Sequence, residues 1–417
     1  METKKFGGYK SAVGAFLCIF VNLGVASTIG VFLPYLAEKI NQPIGTVSLV
    51  VTIATLAAFV ASFIIPKVNA KLGPKGTLGI CLILAFPYFL MSAFAQNMAM
   101  LAIHGIAGGF FLSWGTTATC SIIVSNWFIE KRSSVLGVVL GGGAFGAAVF
   151  QMIAGTLCER AGVTTAYLVI LVCAVVIPGL ANLLLIRDPA KVGQKALGWE
   201  KAQQQTATAG ELPGVPFGSA LKSASFWLCM IAIICCGPLI TGFQTFATSY
   251  WRSFGMDGGA ASTWVSIWSA IGCVATIILG QVANKLGNKV FMTIINVCYI
   301  IGMVFAIFWP ANQMTSFIIL AVLFVGFSYP LTTSVPATLC TESFGPKEYA
   351  KIVSWFVAAL YLGKALASPL ISGIVNATGS YVNAFVILAV LSGVSLILIL
   401  VAIVASPYQK ILRQQKN

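Results

Sequence analysis

Charged side chains are scarce in this sequence. Only 8% of its 417 residues are Asp, Glu, Lys or Arg, whereas a soluble domain carries about 25%. Hydrophobic residues make up 59% of the chain, and no water-soluble fold of this length hides that much apolar surface. The shortage of charge therefore excludes a soluble globular protein and indicates that lipid is the solvent.

Groups that perform acid–base or metal chemistry are scarcer still. The sequence has 10 Asp and Glu, one His, and 11 Cys that lie in apolar runs without a Cys-x-x-Cys pair. We interpret these Cys as small buried apolar residues. No glycine run has the G-x-x-x-x-G-K-S/T pattern of a nucleotide-binding loop, which excludes direct ATP drive. We expect no cofactor and no metal, and the composition argues against an enzyme.

Long apolar runs fill the chain instead. A hydrocarbon core about 30 Å thick takes roughly 20 apolar residues per helix. The first run is too long for a signal-peptide core, so we expect it to be a retained helix. Breaks at charges, prolines and glycines predict twelve transmembrane helices, near residues 11–35, 45–65, 76–95, 98–126, 133–158, 164–186, 224–248, 260–281, 289–309, 315–338, 351–375 and 382–406.

The basic residues have an uneven distribution over the predicted loops. There are 24 Lys and Arg, for a formal net charge of +14, and 20 of them fall on one face when the sides alternate from the N-terminus. Such a bias marks the cytoplasmic face, so the charge does not indicate nucleic-acid binding. We expect a monomer in the cell membrane, with the lipid bilayer as its partner and both termini cytoplasmic.

A short loop motif occurs twice. Val68-Asn-Ala-Lys-Leu-Gly-Pro-Lys75 follows the second predicted helix, and Val282-Ala-Asn-Lys-Leu-Gly-Asn-Lys289 follows the eighth. A weaker echo joins Phe128 and Lys131 to Phe344 and Lys347 at nearly the same spacing. Recurrence at equivalent positions indicates an ancient duplication.

The duplication predicts two pseudo-symmetric six-helix bundles around a central cavity. We place the first bundle at residues 1–186 and the second at 223–417. The polar stretch 187–222 between them is interpreted as a cytoplasmic linker. The fold class is therefore an all-α integral membrane protein.

Two parallel six-helix halves, each with a basic turn after its second helix, resemble the major facilitator superfamily over the whole chain. In that superfamily the turn gates the cytoplasmic end of the transport path. Asn69 and Asn284 stand near the position where the family has an acid. The resemblance implies a gating role for Lys71, Gly73, Lys75, Lys285, Gly287 and Lys289.

A finer resemblance is to the oxalate/formate antiporter and monocarboxylate porter families. It rests on Ile29-Gly-Val-Phe-Leu-Pro34, Asn126-Trp-Phe-Ile-Glu-Lys-Arg132 and Ser343-Phe-Gly-Pro-Lys347. Those families carry small carboxylates. The antiporter members meet the carboxylate with a lysine in helix 11, where Lys364 stands.

The predicted depth of Lys364 in the membrane also favours a binding role. Thirteen residues separate it from Lys351, which is roughly 20 Å along a helix and places it near mid-membrane. No Asp or Glu lies within the predicted helices, and a charged lysine there needs water or a partner. We expect a substrate carboxylate to neutralise it, and a single cation favours a monocarboxylate, or a larger anion held by one carboxylate, over oxalate. Snorkelling of Lys364 to an interface is the alternative.

Aromatic residues and the single histidine complete the candidate site. Tyr361 lies one turn from Lys364 and shares its face. Indoles offer an apolar wall with N–H donors, and a histidine can respond to external protons, although each of these side chains could equally be packed between helices or anchored at an interface. The candidates besides Tyr361 and Lys364 are Trp268, Trp264, Tyr329, Tyr35, Trp114 and His104.

Two modes of transport follow from an unpaired lysine. Exchange is favoured if only the anion-loaded carrier reorients quickly, because the bound anion cancels the charge. Proton-coupled symport is the alternative, with Lys364 releasing its proton when the site is empty. A membrane-embedded enzyme and an anion channel are weaker alternatives.

Overall fold

A computed structural model describes residues 6–129, 132–189, 192–198, 214–345 and 347–409. Over these ranges the chain is helical and contains no β-strand, apart from one isolated bridge between Phe128 and Leu197. The helices are α1 (Gly8–Ala26), α2 (Ile29–Lys39), α3 (Ile44–Val47), α4 (Leu49–Ala93), α5 (Met98–Gly115), α6 (Thr117–Trp127), α7 (Arg132–Leu180), a π-helical turn (Ala181–Leu185), α8 (Phe217–Leu221), α9 (Ala224–Ser253), α10 (Gly258–Leu286), α11 (Asn288–Asn312), α12 (Thr315–Phe327), α13 (Pro330–Thr333), α14 (Val335–Phe344), α15 (Tyr349–Thr378) and α16 (Tyr381–Val404).

The apolar helices make this a multi-pass membrane protein. Within the described ranges, nine stretches are long and apolar enough to cross a membrane. Two of them are much longer than a single span, and each bends at a glycine with non-helical backbone angles, Gly73 in α4 and Gly162 in α7.

The loop expected at 66–75 is one of these bends. Helical backbone continues through Lys67 and Lys71 up to Gly73, because nothing before that glycine interrupts the helix. Gly73 has φ 71° and ψ 169°, and its counterpart Gly287 has φ 88° and ψ 158°. Glycine adopts this conformation without the strain that a Cβ brings, so the repeated glycine ends one helix and starts the next in both copies of the motif.

Polar side chains define other helix starts. Asn97 accepts a hydrogen bond from the Met100 backbone N–H at 3.1 Å and caps α5. Ser223 caps α9, and Ser380 caps α16 directly after the α15 C-cap residue Gly379. Short polar residues at these positions satisfy donors that the first turn leaves unpaired.

The chain divides into two compact units. Unit 1 comprises residues 1–42, 56–209 and 258–266, and unit 2 comprises 43–55, 210–257 and 267–417. The first turns of α4 and α10 are therefore assigned to a different unit from the remainder of each helix.

In unit 1 the main helix contact joins α1 to α7. Gly24 and Gly146 lie at this crossing, and a Cβ on Gly24 would sit 2.7 Å from the Gly146 carbonyl carbon. In unit 2, α9 packs on α15 through Gly237 and Gly363. The second pair follows the first at nearly the same spacing as the repeated loop. The two copies thus use the same glycine crossing.

Candidate functional site

Lys364 lies in the middle of α15 and is half-buried. Its Nζ lies 5.7 Å from the centroid of the Tyr361 ring, so the two side chains occupy one face, as the spacing predicts. Lys364 makes no hydrogen bond or ion pair with any residue that the structure describes. The N–H donors of its ammonium group are therefore not used by any residue that the structure describes.

The backbone next to Lys364 is held by the glycine crossing of unit 2. A Cβ on Gly237 would overlap the backbone N of Lys364, and a Cβ on Gly363 would lie 3.0 Å from the carbonyl carbon of Ile234 and closer still to its oxygen. No side chain separates α9 from α15 at this level. The position of the lysine along unit 2 is consequently set by direct contact between two helix backbones.

A second feature of unit 2 is a layer of three aromatic rings. The buried Trp268 ring lies 5.3 Å from that of Phe243 and 5.6 Å from that of Tyr329. Tyr329 packs against Gly272, one turn beyond Trp268 on α10. The structure thus brings together two candidates, Trp268 and Tyr329, that are far apart in the sequence.

Trp268 carries a polar atom without a partner. Its Nε1 is buried and meets no acceptor within the described part of the chain. A buried indole N–H normally finds an acceptor, and an unsatisfied donor costs about 1–3 kcal/mol. The packing of unit 2 therefore leaves this N–H donor unused among the described residues.

Trp264 and Tyr35 belong to unit 1. Trp264 is half-buried on the first turns of α10. The Tyr35 hydroxyl lies beside Gly258, and the Glu159 carboxylate accepts a hydrogen bond from the backbone N–H of Gly259. Tyr35 therefore belongs to a polar cluster at the start of α10.

His104 is buried in unit 1 among aromatic rings. Its ring lies 4.5 Å from that of Tyr88 and 6.2 Å from that of Tyr167. Its Nδ1 lies 2.5 Å from the Tyr88 carbonyl oxygen, which can only accept, so Nδ1 carries the hydrogen. This is the environment of a packed, hydrogen-bonded histidine.

The indole of Trp114 is also engaged within unit 1. Its Nε1 donates to the Ala61 carbonyl oxygen at 3.0 Å, and its ring contacts Phe110 edge-on at 5.2 Å. Unlike Trp268, Trp114 has its only polar donor already satisfied.

The predicted gating residues are arranged around the two bends. Lys75 Nζ donates to the Leu183 carbonyl oxygen at 3.3 Å, and Thr77 donates to the Asn69 side-chain oxygen at 2.8 Å. Asn69 thus fills the acceptor position near the bend without a charge. Lys71, Lys285 and Lys289 are exposed, and the side chain of Asn284 and all of Lys131 lie outside the described residues.

The sequence did not reveal one polar network, at the end of unit 2. Glu342 accepts hydrogen bonds from Asn288 at 3.1 Å and from Gln409 at 2.9 Å. Both partners are distant from Glu342 in the sequence, so no local motif brings the three together. The repeat offers a signal, because Glu342 stands before Phe344 as Asn126 stands before Phe128.

Comparisons with known proteins agree with this architecture. The sequence matches the profile of the Major Facilitator Superfamily over residues 15–368 and 252–416. The uncharacterized MFS-type transporter YhjX of Escherichia coli (strain K12) is 26% identical over 351 residues, which cover 83% of this chain and 82% of the relative. The aspyridones efflux protein apdF of Emericella nidulans is 18% identical over 376 residues, or 89% of this chain and 72% of the relative.

A solved structure shares the fold. The crystal structure of a D-xylose-proton symporter superposes with a TM-score of 0.72, covering 94% of this chain and 96% of that chain at 13% sequence identity. At such low identity the likeness concerns the fold and carries no information about the substrate.

Proposed function

The chain belongs to the Major Facilitator Superfamily and is a transporter, not an enzyme, and on that premise we propose that it carries a small organic anion, most simply a monocarboxylate, by alternating access. The observation that carries this proposal is Lys364, a lysine in an apolar helix without a counter-ion in the described part of the chain. A carboxylate supplies the missing negative charge and accepts the free N–H donors.

Two further side chains of unit 2 favour the same class of ligand. The Tyr361 ring faces the ammonium group at 5.7 Å, a distance at which a cation–π contact holds a cation in place. Trp268 offers a buried N–H without an acceptor among the described residues, which suits a second oxygen. An anion with one carboxylate and an apolar body matches one cation and several rings.

The twelve-helix arrangement in two bundles is part of the proposal. Nine membrane-crossing stretches are found in the described part of the chain. The bends at Gly73 and Gly162 make two helices of each of two stretches, and α10 adds a helix of 29 residues. The proposal places the two bundles at residues 1–186 and 223–417 and the linker at 187–222. It also includes cytoplasmic termini, a location in the cell membrane and a monomeric state.

Exchange is the favoured mode of transport. An empty carrier has to move an uncompensated ammonium group through a site that closes and dehydrates, which is unfavourable in a medium of low dielectric constant. The anion-loaded carrier moves a neutral pair. Loaded reorientation is therefore faster than empty reorientation, whereas proton-coupled symport requires Lys364 to lose its proton on the return step.

Ligand binding tests the site. The purified protein is screened by thermal shift against a panel of monocarboxylates and dicarboxylates, and the best ligand is retested on Lys364→Ala. We expect the shift to disappear in this variant and to persist in Lys351→Ala, which removes an exposed lysine from the same helix. A shift that survives in K364A contradicts the proposed site.

Flux measurements distinguish the two modes. Proteoliposomes preloaded with the identified carboxylate are expected to take up label several times faster than empty ones. Equal rates contradict exchange, and uptake that follows an imposed pH gradient favours the symport alternative.

A further inference from the structure

A cavity of about 180 Å³ lies in unit 1, where the bend of α4 meets the chain after the π-helical turn. Its polar wall consists of Lys75, Asn126, Arg187 and Asp188, and the remaining wall is mostly apolar. Two cations against one carboxylate leave the wall with one net positive charge. None of the candidates for the transport site in unit 2 lines this cavity.

The backbone around the two cations is fixed. Lys75 donates to the Leu183 carbonyl oxygen at 3.3 Å, and Asn182 donates back to the Lys75 carbonyl oxygen at 3.0 Å. The Arg187 carbonyl oxygen accepts a hydrogen bond from the buried Trp127 indole at 2.8 Å. An ammonium group has three donors, so Lys75 keeps capacity for a ligand, and the Arg187 side chain is exposed at the cavity.

The cavity lies where the apolar part of the chain ends. The membrane-crossing stretch that contains α7 ends at Leu185, two residues before Arg187. Leu183 and Leu184 are 69% and 64% exposed, which suits contact with acyl chains. The two cations are thus at the level where lipid phosphates lie.

The second copy of the repeat has a carboxylate at the position that corresponds to the cavity wall of unit 1. Asn126 corresponds to Glu342, since each stands at the same distance before the phenylalanine of the echo. Pro74 corresponds to Asn288, since each directly follows the glycine of the repeated loop. In unit 2 the Glu342 carboxylate accepts hydrogen bonds from the side chains of Asn288 and Gln409. Unit 1 has an amide in place of that carboxylate, and a cavity beside it.

We propose that the cavity in unit 1 binds a phosphate group, carried by the headgroup of an anionic phospholipid. The phosphate oxygens supply the negative charge that Glu342 provides in the other copy. Basic pockets between membrane helices at a membrane surface bind such headgroups, and the exposed leucines beside the cavity favour a lipid over a soluble phosphate.

Lipid binding is measured on the detergent-purified full-length protein by native mass spectrometry. Phosphatidylglycerol is expected to bind saturably and more tightly than phosphatidylcholine. The double variant Lys75→Gln/Arg187→Gln should lose about 25-fold in affinity for phosphatidylglycerol, since each cation near an anionic lipid contributes on the order of fivefold. Lys195→Gln removes an exposed lysine that does not line the cavity, and its affinity should match the wild type.

Asn126→Glu provides a test that does not weaken the cavity wall. It restores the carboxylate of the other copy, so phosphatidylglycerol binding should fall while the melting temperature stays the same or rises. Unchanged binding in both N126E and the double variant overturns the proposal. Glycerol 3-phosphate could instead saturate the same site and bind as tightly as phosphatidylglycerol. That result would contradict a lipid headgroup as the source of the phosphate.

Discussion

Gly237 and Gly363 bring α9 and α15 into direct backbone contact, with 2.6 Å between a Cβ placed on Gly237 and the Gly363 Cα. The next residue along α15 is Lys364. Any side chain at this crossing forces the helices apart and displaces the lysine together with its backbone. The glycine pair is therefore a positioning element for the candidate site, although neither glycine has a group that binds a ligand.

Gly363→Val is expected to lower both stability and anion binding. Its Cβ would overlap the Ile234 carbonyl oxygen, and overpacking of this kind typically costs about 1–3 kcal/mol. Thermal unfolding in detergent and carboxylate thermal shift measure the two effects. Gly373→Val on the same helix is the control, because nothing lies within 4 Å of its Cβ position. Similar losses in both variants contradict the role of the crossing.

Trp114→Phe should lower the stability of the protein, whereas Trp268→Phe should weaken carboxylate binding. Each keeps an aromatic ring and removes an N–H. The Trp114 N–H bonds Ala61, so its loss should destabilise the protein by about 0.5–1.5 kcal/mol. The Trp268 N–H has no acceptor in the described part of the chain, so W268F should keep its melting temperature and bind carboxylate more weakly. Full binding by W268F would exclude this N–H from the site.

His104→Leu is expected to change stability and not the pH profile of transport. The variant loses the hydrogen bond between the imidazole and the Tyr88 carbonyl oxygen, and a lost hydrogen bond costs about 0.5–1.5 kcal/mol. Initial uptake rates are measured in proteoliposomes across a range of external pH. A pH optimum that moves in H104L would assign His104 a role in proton coupling after all.

The hydrogen bonds of Glu348 predict that the folding stability of the protein depends on pH. The Lys351 ammonium, which donates to its carboxylate at 2.5 Å, and the Phe217 backbone N–H lower the pKa of Glu348 below its usual value. A carboxyl with a lowered folded pKa stabilises the protein above its unfolded pKa, about 4.3, and that contribution disappears as the pH falls through the folded value.

Melting curves of the wild type and Glu348→Gln, recorded from neutral pH down to pH about 3, measure this contribution. The wild type should lose more stability than E348Q on acidification, because the amide does not titrate. If the melting temperatures of the two proteins fall in parallel, Glu348 does not contribute to the loss of stability at low pH.

Periodicity and local spacing predicted the features that depend on neighbouring residues. Apolar runs predicted an all-helical, multi-pass membrane protein. The three-residue spacing of Tyr361 and Lys364 placed the ring beside the ammonium group, and the repeated loop indicated the shared backbone geometry of Gly73 and Gly287. These predictions succeed because a helix fixes the relation between residues a few positions apart.

Features that depend on distant residues were not predictable from one sequence. The crossing of Gly24 with Gly146 joins two helices that are far apart along the chain, so no local pattern specifies it. The helix also continues into the expected loop at 66–75 as far as Gly73, since basic residues alone do not end a helix. The roles of the candidate site residues are still predictions.

The glycine crossing occurs in both copies of the repeat, but the residue that follows it differs. Lys364 follows Gly363, whereas Ala147 follows Gly146 and is fully buried. Beside the crossing, then, the C-terminal copy carries an ammonium group and the N-terminal copy carries a methyl group. Substitutions beside the crossing are accordingly expected to change the choice of ligand in the C-terminal copy and only the packing of helices in the N-terminal copy.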